Sequence, residues 1–346
     1  MAAKAGDESL VTRLLKTDLY GPLYDDLVWI AISAATVQGH VSIVKLLVED
    51  PSTPKYESVI YGTNALHLAV EYGQETILRY LLYSKKVDFD KVDDDGWSLI
   101  CLAIFHGNKS ILKVLLTEVS QREVPYAQRG LTLQKMHNGV PPLHLAAAIG
   151  DLSMVEMLLG SAGKHFRLLD LYKNTPLHLA AAGSLSYMIE TLSITDPSLR
   201  SKYAGMPANF VTIPQHFEVV QLLASRLFPW LNAENREGNT ALHLAAQFGH
   251  LKVVQLLAHD PGVNLNATNN VGKTPLNLAI EYERYDIVVY LLRVSTDDIA
   301  ARASVYNQVR EAQASKGNAN YGASIREEKC DNFGDNEGIE GRGDQR

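Results

Sequence analysis

"GNTALHLAAQFGHLKVVQLL", residues Gly238 to Leu257, decides how this chain folds. Thr240 stands where a hydroxyl can cap a helix, ahead of an apolar run at Leu242, Leu244, Ala245 and Ala246. Gly249 ends that run as a helix-terminating glycine does. A second run, Val253, Val254, Leu256 and Leu257, has the spacing of another short amphipathic helix. Two helices this short bury too little apolar surface to stand alone. The chain answers by writing the unit again. "TNALHLAVEYG" begins at Thr63, "PPLHLAAAIG" at Pro141, "NTPLHLAA" at Asn174 and "KTPLNLAIEYE" at Lys273.

The first leucine of each copy is a ruler. Leu143 to Leu177 is 34 positions, and so is Leu242 to Leu276. Ile100 lies 34 positions after Leu66, with Cys101 in the histidine place, and Ile32 lies 34 before it. In the long gap from Leu177 to Leu242, "MPANFVTIPQHFEVVQLL" puts Ala208 on the ruler as a worn copy. The opening "MAAKAGDESLVTRLL" matches only the later part of a unit. A period near 33 carrying T-P-L-H resembles the ankyrin-repeat family from Met1 to about Arg293. The resemblance implies an all-α ankyrin-repeat solenoid, helix-turn-helix units joined by β-hairpin turns. About nine units are expected, the first incomplete and the seventh degenerate. Residues 1–293 form the array; 294–314, with Thr296 as cap, read as a C-terminal capping helix; the polar 315–346 read as a disordered tail.

Each hairpin turn wants a positive φ, which Gly62, Gly96, Gly139, Gly238 and Gly272 accept without a steric cost. Lys173 holds that place in the sixth unit, so its turn should be strained or remodelled. The period breaks twice. Ile100 to Leu143 is 43 positions, which places about nine extra residues within Thr117 to Met136. The other break is Ser193 to Pro214, where Pro207 and Pro214 interrupt the worn unit.

Composition narrows the function classes. The chain is 46% apolar and 21% charged with a formal charge of −7, a soluble globular balance that disfavours a nucleic-acid partner. Two cysteines, Cys101 and Cys330, build neither a disulfide framework nor a zinc site. No run reaches the roughly 18 apolar residues of a membrane span. A cytoplasmic monomer is expected; host cytosol applies if the chain is a microbial effector.

His67, His144, His178 and His243 share the T-P-L-H slot, and His40, His216 and His250 occupy the G-H slot of the repeat. The resemblance implies that the first set ties hairpins together. Residues one layer apart lie roughly 10 Å from each other, too far to converge on a metal. "GSAGKH" at Gly160 lacks phosphate-loop spacing, and Asp93, Asp94 and Asp95 lack the Glu of a calcium loop. No catalytic, cofactor or metal residue is therefore assigned, and no enzyme activity is expected.

What remains is recognition. The resemblance implies a protein partner, of unknown identity, on the concave face. The two positions before the helix-ending glycine point there, and so do the hairpin tips. These slots give Tyr72, Phe105, His106, Ile149, Phe248 and Tyr282, with Trp97, His137, Tyr172 and Arg236 at the tips. Aromatics and arginine dominate interface hot spots. Trp97 and Tyr172 centre the expected site on units four to six. The competing reading makes the chain the recognition portion of a larger multidomain protein or a host-directed microbial effector.

Overall fold

The computed structural model describes residues 1–15, 24–53, 64–93, 96–121, 140–161, 169–183, 187, 216–226 and 230–295. Among the described residues sixteen helices form eight pairs. The inner helices are Ala2–Ala5, Tyr24–Gln38, Ala65–Glu71, Leu99–Phe105, Pro142–Ile149, Pro176–Ala182, Ala241–Phe248 and Pro275–Glu281. Their outer partners are Glu8–Leu15, Val41–Glu49, Glu75–Ser84, Lys109–Gln121, Leu152–Ser161, His216–Arg226, Leu251–Ala258 and Tyr285–Ser295. Every inner helix packs on its own outer helix and on the inner helices of the layers beside it.

Local chemistry sets the length of the inner helices. Thr175, Thr240 and Thr274 accept the backbone N–H three residues on, and the side chain there (His178, His243 or Asn277) accepts the N–H of the cap. Asn64 and His67 make the same reciprocal pair. A ring nitrogen thus replaces the carboxylate of the usual capping box. Pro142, Pro176 and Pro275 sit in the first turn, where a missing N–H costs nothing. At the far end Gly150, Gly183 and Gly249 turn the chain out at φ 77°, 56° and 87°.

The core is continuous along the stack. Ile32, Leu66, Ile100, Leu143, Leu177 and Leu242, all on the ruler, are at most 1% exposed. Ala180, Ala181, Ala245 and Ala246 are fully buried, and their small side chains let adjacent inner helices approach. Fully burying one leucine stabilises by about 1.5–3 kcal/mol, and most of that burial is made between units.

The expectation of nine layers needs correcting. The outer helix His216–Arg226 packs on the inner helix Pro176–Ala182, and that inner helix packs directly on Ala241–Phe248. Nε2–H of His178 donates to the carbonyl of Asn239 (2.9 Å), and Nδ2 of Asn235 donates to Oδ1 of Asn174 (3.0 Å). No layer fits between them. Gly183 and His216 are the glycine and histidine of one unit, parted by residues 184–215. His216 donates through Nε2 to the carbonyl of Ala148 (3.0 Å), as His250, still adjacent to Gly249, does to Ala182 (2.9 Å). The eight described pairs therefore include no pair at the worn seventh unit, and Ala208 lies outside the described residues.

The last described helix runs to Ser295, past the expected boundary at 293. The expected capping helix beyond 295 and the tail at 315–346 lie outside the described residues, as do 122–139 of the first insertion. Among the described residues no helix is long and apolar enough to cross a membrane.

Candidate partner-binding face

The slot histidines are committed to the scaffold. Nδ1 of His178 accepts the N–H of Thr175 (3.1 Å) and lies 2.8 Å from its hydroxyl, while Nε2 faces the carbonyl of Asn239. That network assigns the Nε2–H tautomer. His243 repeats it with Thr240 (3.1 Å) and the carbonyl of Lys273 (3.0 Å). His144 reaches Asn174 (2.9 Å) and His67 reaches Trp97 (3.3 Å) through the same nitrogen. Burial, against the opposing pull of the Asn239 carbonyl, pushes the His178 pKa down to about 4. Burial also lowers His243 and His216. At neutral pH these rings are uncharged struts.

Cys101, in the histidine place of the fourth unit, is fully buried, and burial raises its thiol to about 12. It is a core residue without nucleophilic character at neutral pH.

Hairpins join one another at their tips. The N–H of Arg236 donates to the carbonyl of Tyr172 (2.7 Å), and that of Asn270 to Glu237 (3.0 Å). The Arg236 guanidinium lies 5.5 Å from the centre of the Tyr172 ring. Lys173 does adopt the left-handed backbone expected of a glycine, at φ 58°.

The face candidates separate by their surroundings. Tyr72 and Tyr282 are 50% and 45% exposed in equivalent slots of the third and eighth units. His106 and Ile149 occupy the same slot half-buried, His106 edge-on to Phe105 at 5.2 Å. Arg236 is exposed and Tyr172 half-buried beneath it. His137 lies outside the described residues.

Trp97 and Phe105 are corrected as accessible aromatics. Trp97 is 1% exposed, Phe105 5%, and their rings meet at 5.0 Å. Trp97 follows Gly96, so it stands in the phase of Asn174 and Asn239 rather than at the tip. Its N–H donates to Oδ1 of Asp93 (2.7 Å), and its carbonyl accepts from the N–H of Asp93 (3.0 Å). The closed turn directs the indole inward.

One contact was not legible in the sequence. Phe248 meets the ring of Tyr187 at 5.4 Å, and the Tyr187 hydroxyl accepts from Nδ2 of Asn235 (3.2 Å). Rejoining Gly183 to His216 is the signal that would have exposed Tyr187 as part of an insertion.

A family model described as "Ankyrin repeats (3 copies)" matches residues 1–93, 34–126, 100–200, 188–269 and 211–303. The chain belongs to the ankyrin-repeat family. The ankyrin array is similar to the nuclear factor NF-kappa-B p105 subunit of Gallus gallus, 31% identical over 162 residues, 45% of this chain and 16% of the relative. It is also similar to human transient receptor potential cation channel subfamily A member 1, 27% identical over 219 residues, 54% of this chain and 19% of the channel. The p105 subunit of Mus musculus matches at 28% over 123 residues, 35% of this chain and 12% of the relative. The ankyrin chain thus spans less than a fifth of the length of these relatives. Ankyrin arrays are in general protein-binding modules and typically non-catalytic.

Proposed function

We propose that this ankyrin array is a non-enzymatic interaction module that binds a protein partner across its inner-helix face, the concave side in the family. One observation carries the reading: Tyr72 and Tyr282 stand half-exposed in equivalent slots of that face. A half-exposed tyrosine offers an apolar ring and a hydroxyl at little conformational cost, the profile of an interface anchor. His178 and His243 support it from the other side: both ring nitrogens are bonded within the scaffold and burial lowers their pKa values, so these rings serve structure rather than acid–base chemistry. We assign the array to the cytoplasm, as a monomer, with no nucleic-acid partner.

The test is capture and cross-linking with purified chain in lysate of its native cell, followed by variants. Tyr72→Ala and Tyr282→Ala should reduce recovery of the partner, while Lys113→Glu on an outer helix leaves it unchanged. Loss on Lys113→Glu with both tyrosine variants normal would move the site to the outer helices.

The second reading, a recognition portion within a larger protein, is favoured by the relatives, in which the matched region is less than a fifth of the chain. The mass of the protein detected in its native cell distinguishes the two.

A further inference from the structure

Side chains bond one layer to the next along two ladders. In the first, the slot histidine donates forward to the carbonyl that precedes the next cap: His67 to Trp97 (3.3 Å), His144 to Asn174 (2.9 Å), His178 to Asn239 (2.9 Å) and His243 to Lys273 (3.0 Å). In the second, the residue at the start of the outer helix reaches back to a carbonyl of the layer before. His40 reaches Lys4 (3.3 Å), His216 reaches Ala148 (3.0 Å), His250 reaches Ala182 (2.9 Å) and Nε of Arg284 reaches Gln247 (3.0 Å).

Both ladders stop where the fourth unit meets the fifth. Cys101 stands in the forward slot, and its fully buried thiol is hydrogen-bonded to the Ser98 side chain of its own unit. Asp151 stands in the backward slot. A carboxylate has no proton to give to the carbonyl of Phe105, which holds the place of Ala148 and Ala182. Oδ1 of Asp151 accepts the N–H of Met154 in its own helix (3.1 Å), and Oδ2 meets Nζ of Lys109 at 3.0 Å, with the lysine side chain 51% exposed. Among the described residues that ion pair is the polar link between the two layers. Ser33 and Gln74 wear both slots of the second–third interface, but there Tyr80 donates to Glu49 (2.9 Å) and Nζ of Lys86 to the carbonyl of Val48 (2.6 Å). The apolar contact of the fourth and fifth units is intact: Leu99–Phe105 packs on Pro142–Ile149, and Leu102, Val140, Leu143 and Ala147 are buried. Apolar contact has no direction, so it holds two layers together without fixing the angle between them.

We propose that the ankyrin array is two stiff blocks, units one to four and units five to eight, that articulate at this interface, with Lys109 and Asp151 as a salt-sensitive latch. Packed helices lacking directional bonds between them slide by small amounts, the shear mode of domain motion. The latch is exposed, and dissolved ions screen an exposed pair that they leave alone in a buried one. The connection is also long here, since Ile100 to Leu143 is 43 positions against the usual 34. Tyr72 and Tyr282 fall in different blocks, so the angle at the joint sets the distance between them. That consequence, though not the joint, rests on the inner face being the binding face.

Spin labels on the full-length chain test it by double electron–electron resonance. Ser42→Cys and Gln221→Cys put labels on exposed positions of the second and sixth units, four layers or about 40 Å apart. Cys330→Ser removes one native thiol, and Cys101, buried with its thiol raised to about 12, stays unlabelled. Pairs at Ser42 with Thr117 and at Gln221 with Asp286, all exposed, report on each block alone. The distance distribution across the joint should broaden on going to about 1 M salt, and those within the blocks should not. Cys101→His with Asp151→His restores a donor to each ladder. It should narrow the distribution across the joint roughly twofold and remove its response to salt. If that variant does not fold, Lys109→Ala, an exposed change, takes its place and should broaden the pair across the joint alone. An unchanged distribution in the folded variant overturns the proposal, and so do pairs within the blocks that broaden with salt as much as the pair across. No partner enters the measurement, so a failed joint leaves the proposed binding face standing, and a silent binding face leaves the joint.

Discussion

His178 holds two units together with one ring. Its folded pKa of about 4 lies below the ordinary 6.5 because burial disfavours the charged ring. The unfolded chain therefore takes up the proton first as pH falls. The contribution of this residue is fully present above about 6.5 and is lost progressively toward 4, amounting to about 3 kcal/mol. His178→Asn should retain the capping bond, as Asn277 does in the eighth unit, and lose the bond to Asn239. At pH 7 the variant should be about 1–3 kcal/mol less stable, and its stability should fall less steeply between pH 6.5 and 4. Urea unfolding across that range decides it; identical slopes for both proteins would refute the role of this ring. Lys173 offers the opposite change. Its exposed side chain sits on a left-handed backbone at φ 58°, strained by about 1–2 kcal/mol. Lys173→Gly relieves the strain and returns about 0.4–1 kcal/mol of unfolded-state entropy. A net gain of about 0.5–1 kcal/mol is expected as a higher urea midpoint; a lower midpoint would mean that the lysine makes a contact worth more than its strain.

The helix pair is where the sequence reads well and then misleads. Caps, helix ends and the histidine slot were legible because each depends on partners three residues away or one period away. Trp97 lies one turn residue away from the tip that its size suggests, and its phase after Gly96 closes it inward. The expected seventh unit fails for a different reason. Leu177 to Leu242 is 65 positions, three short of two periods, so an insertion nearly one unit long passed for a decayed unit. Only contacts distant in sequence, His178 to Asn239 and His216 to Ala148, reveal the join. The join predicts the result of deleting 184–215 and linking Gly183 to His216. The denaturant slope of unfolding, which follows the surface exposed, should stay nearly constant. A fall of about one ninth would mean that a whole layer had been removed, restoring the nine-layer reading.

At the scale of the whole molecule, the face is a row of equivalent slots differently filled. The middle ones are closed in by the chain itself: His106, half-buried, lies edge-on to Phe105, and Phe248 meets Tyr187. The open aromatics, Tyr72 and Tyr282, stand in the third and eighth units. Five layers at roughly 10 Å each separate them by about 50 Å. A partner that touches both is therefore elongated or large, and the two anchors are too far apart to couple. Tyr72→Ala and Tyr282→Ala should each weaken binding by about 2 kcal/mol, close to thirtyfold, with the thermal midpoint unchanged. In the double variant the two losses should add. Trp97→Ala is the contrast: removing a buried indole should cost about 3–5 kcal/mol of stability, and binding should fall only in proportion to the folded fraction. Calorimetric titration of the three variants separates these cases. If one tyrosine proves silent, the partner covers one end of the array alone; if both are silent while the fold is intact, the inner face is not where the partner binds.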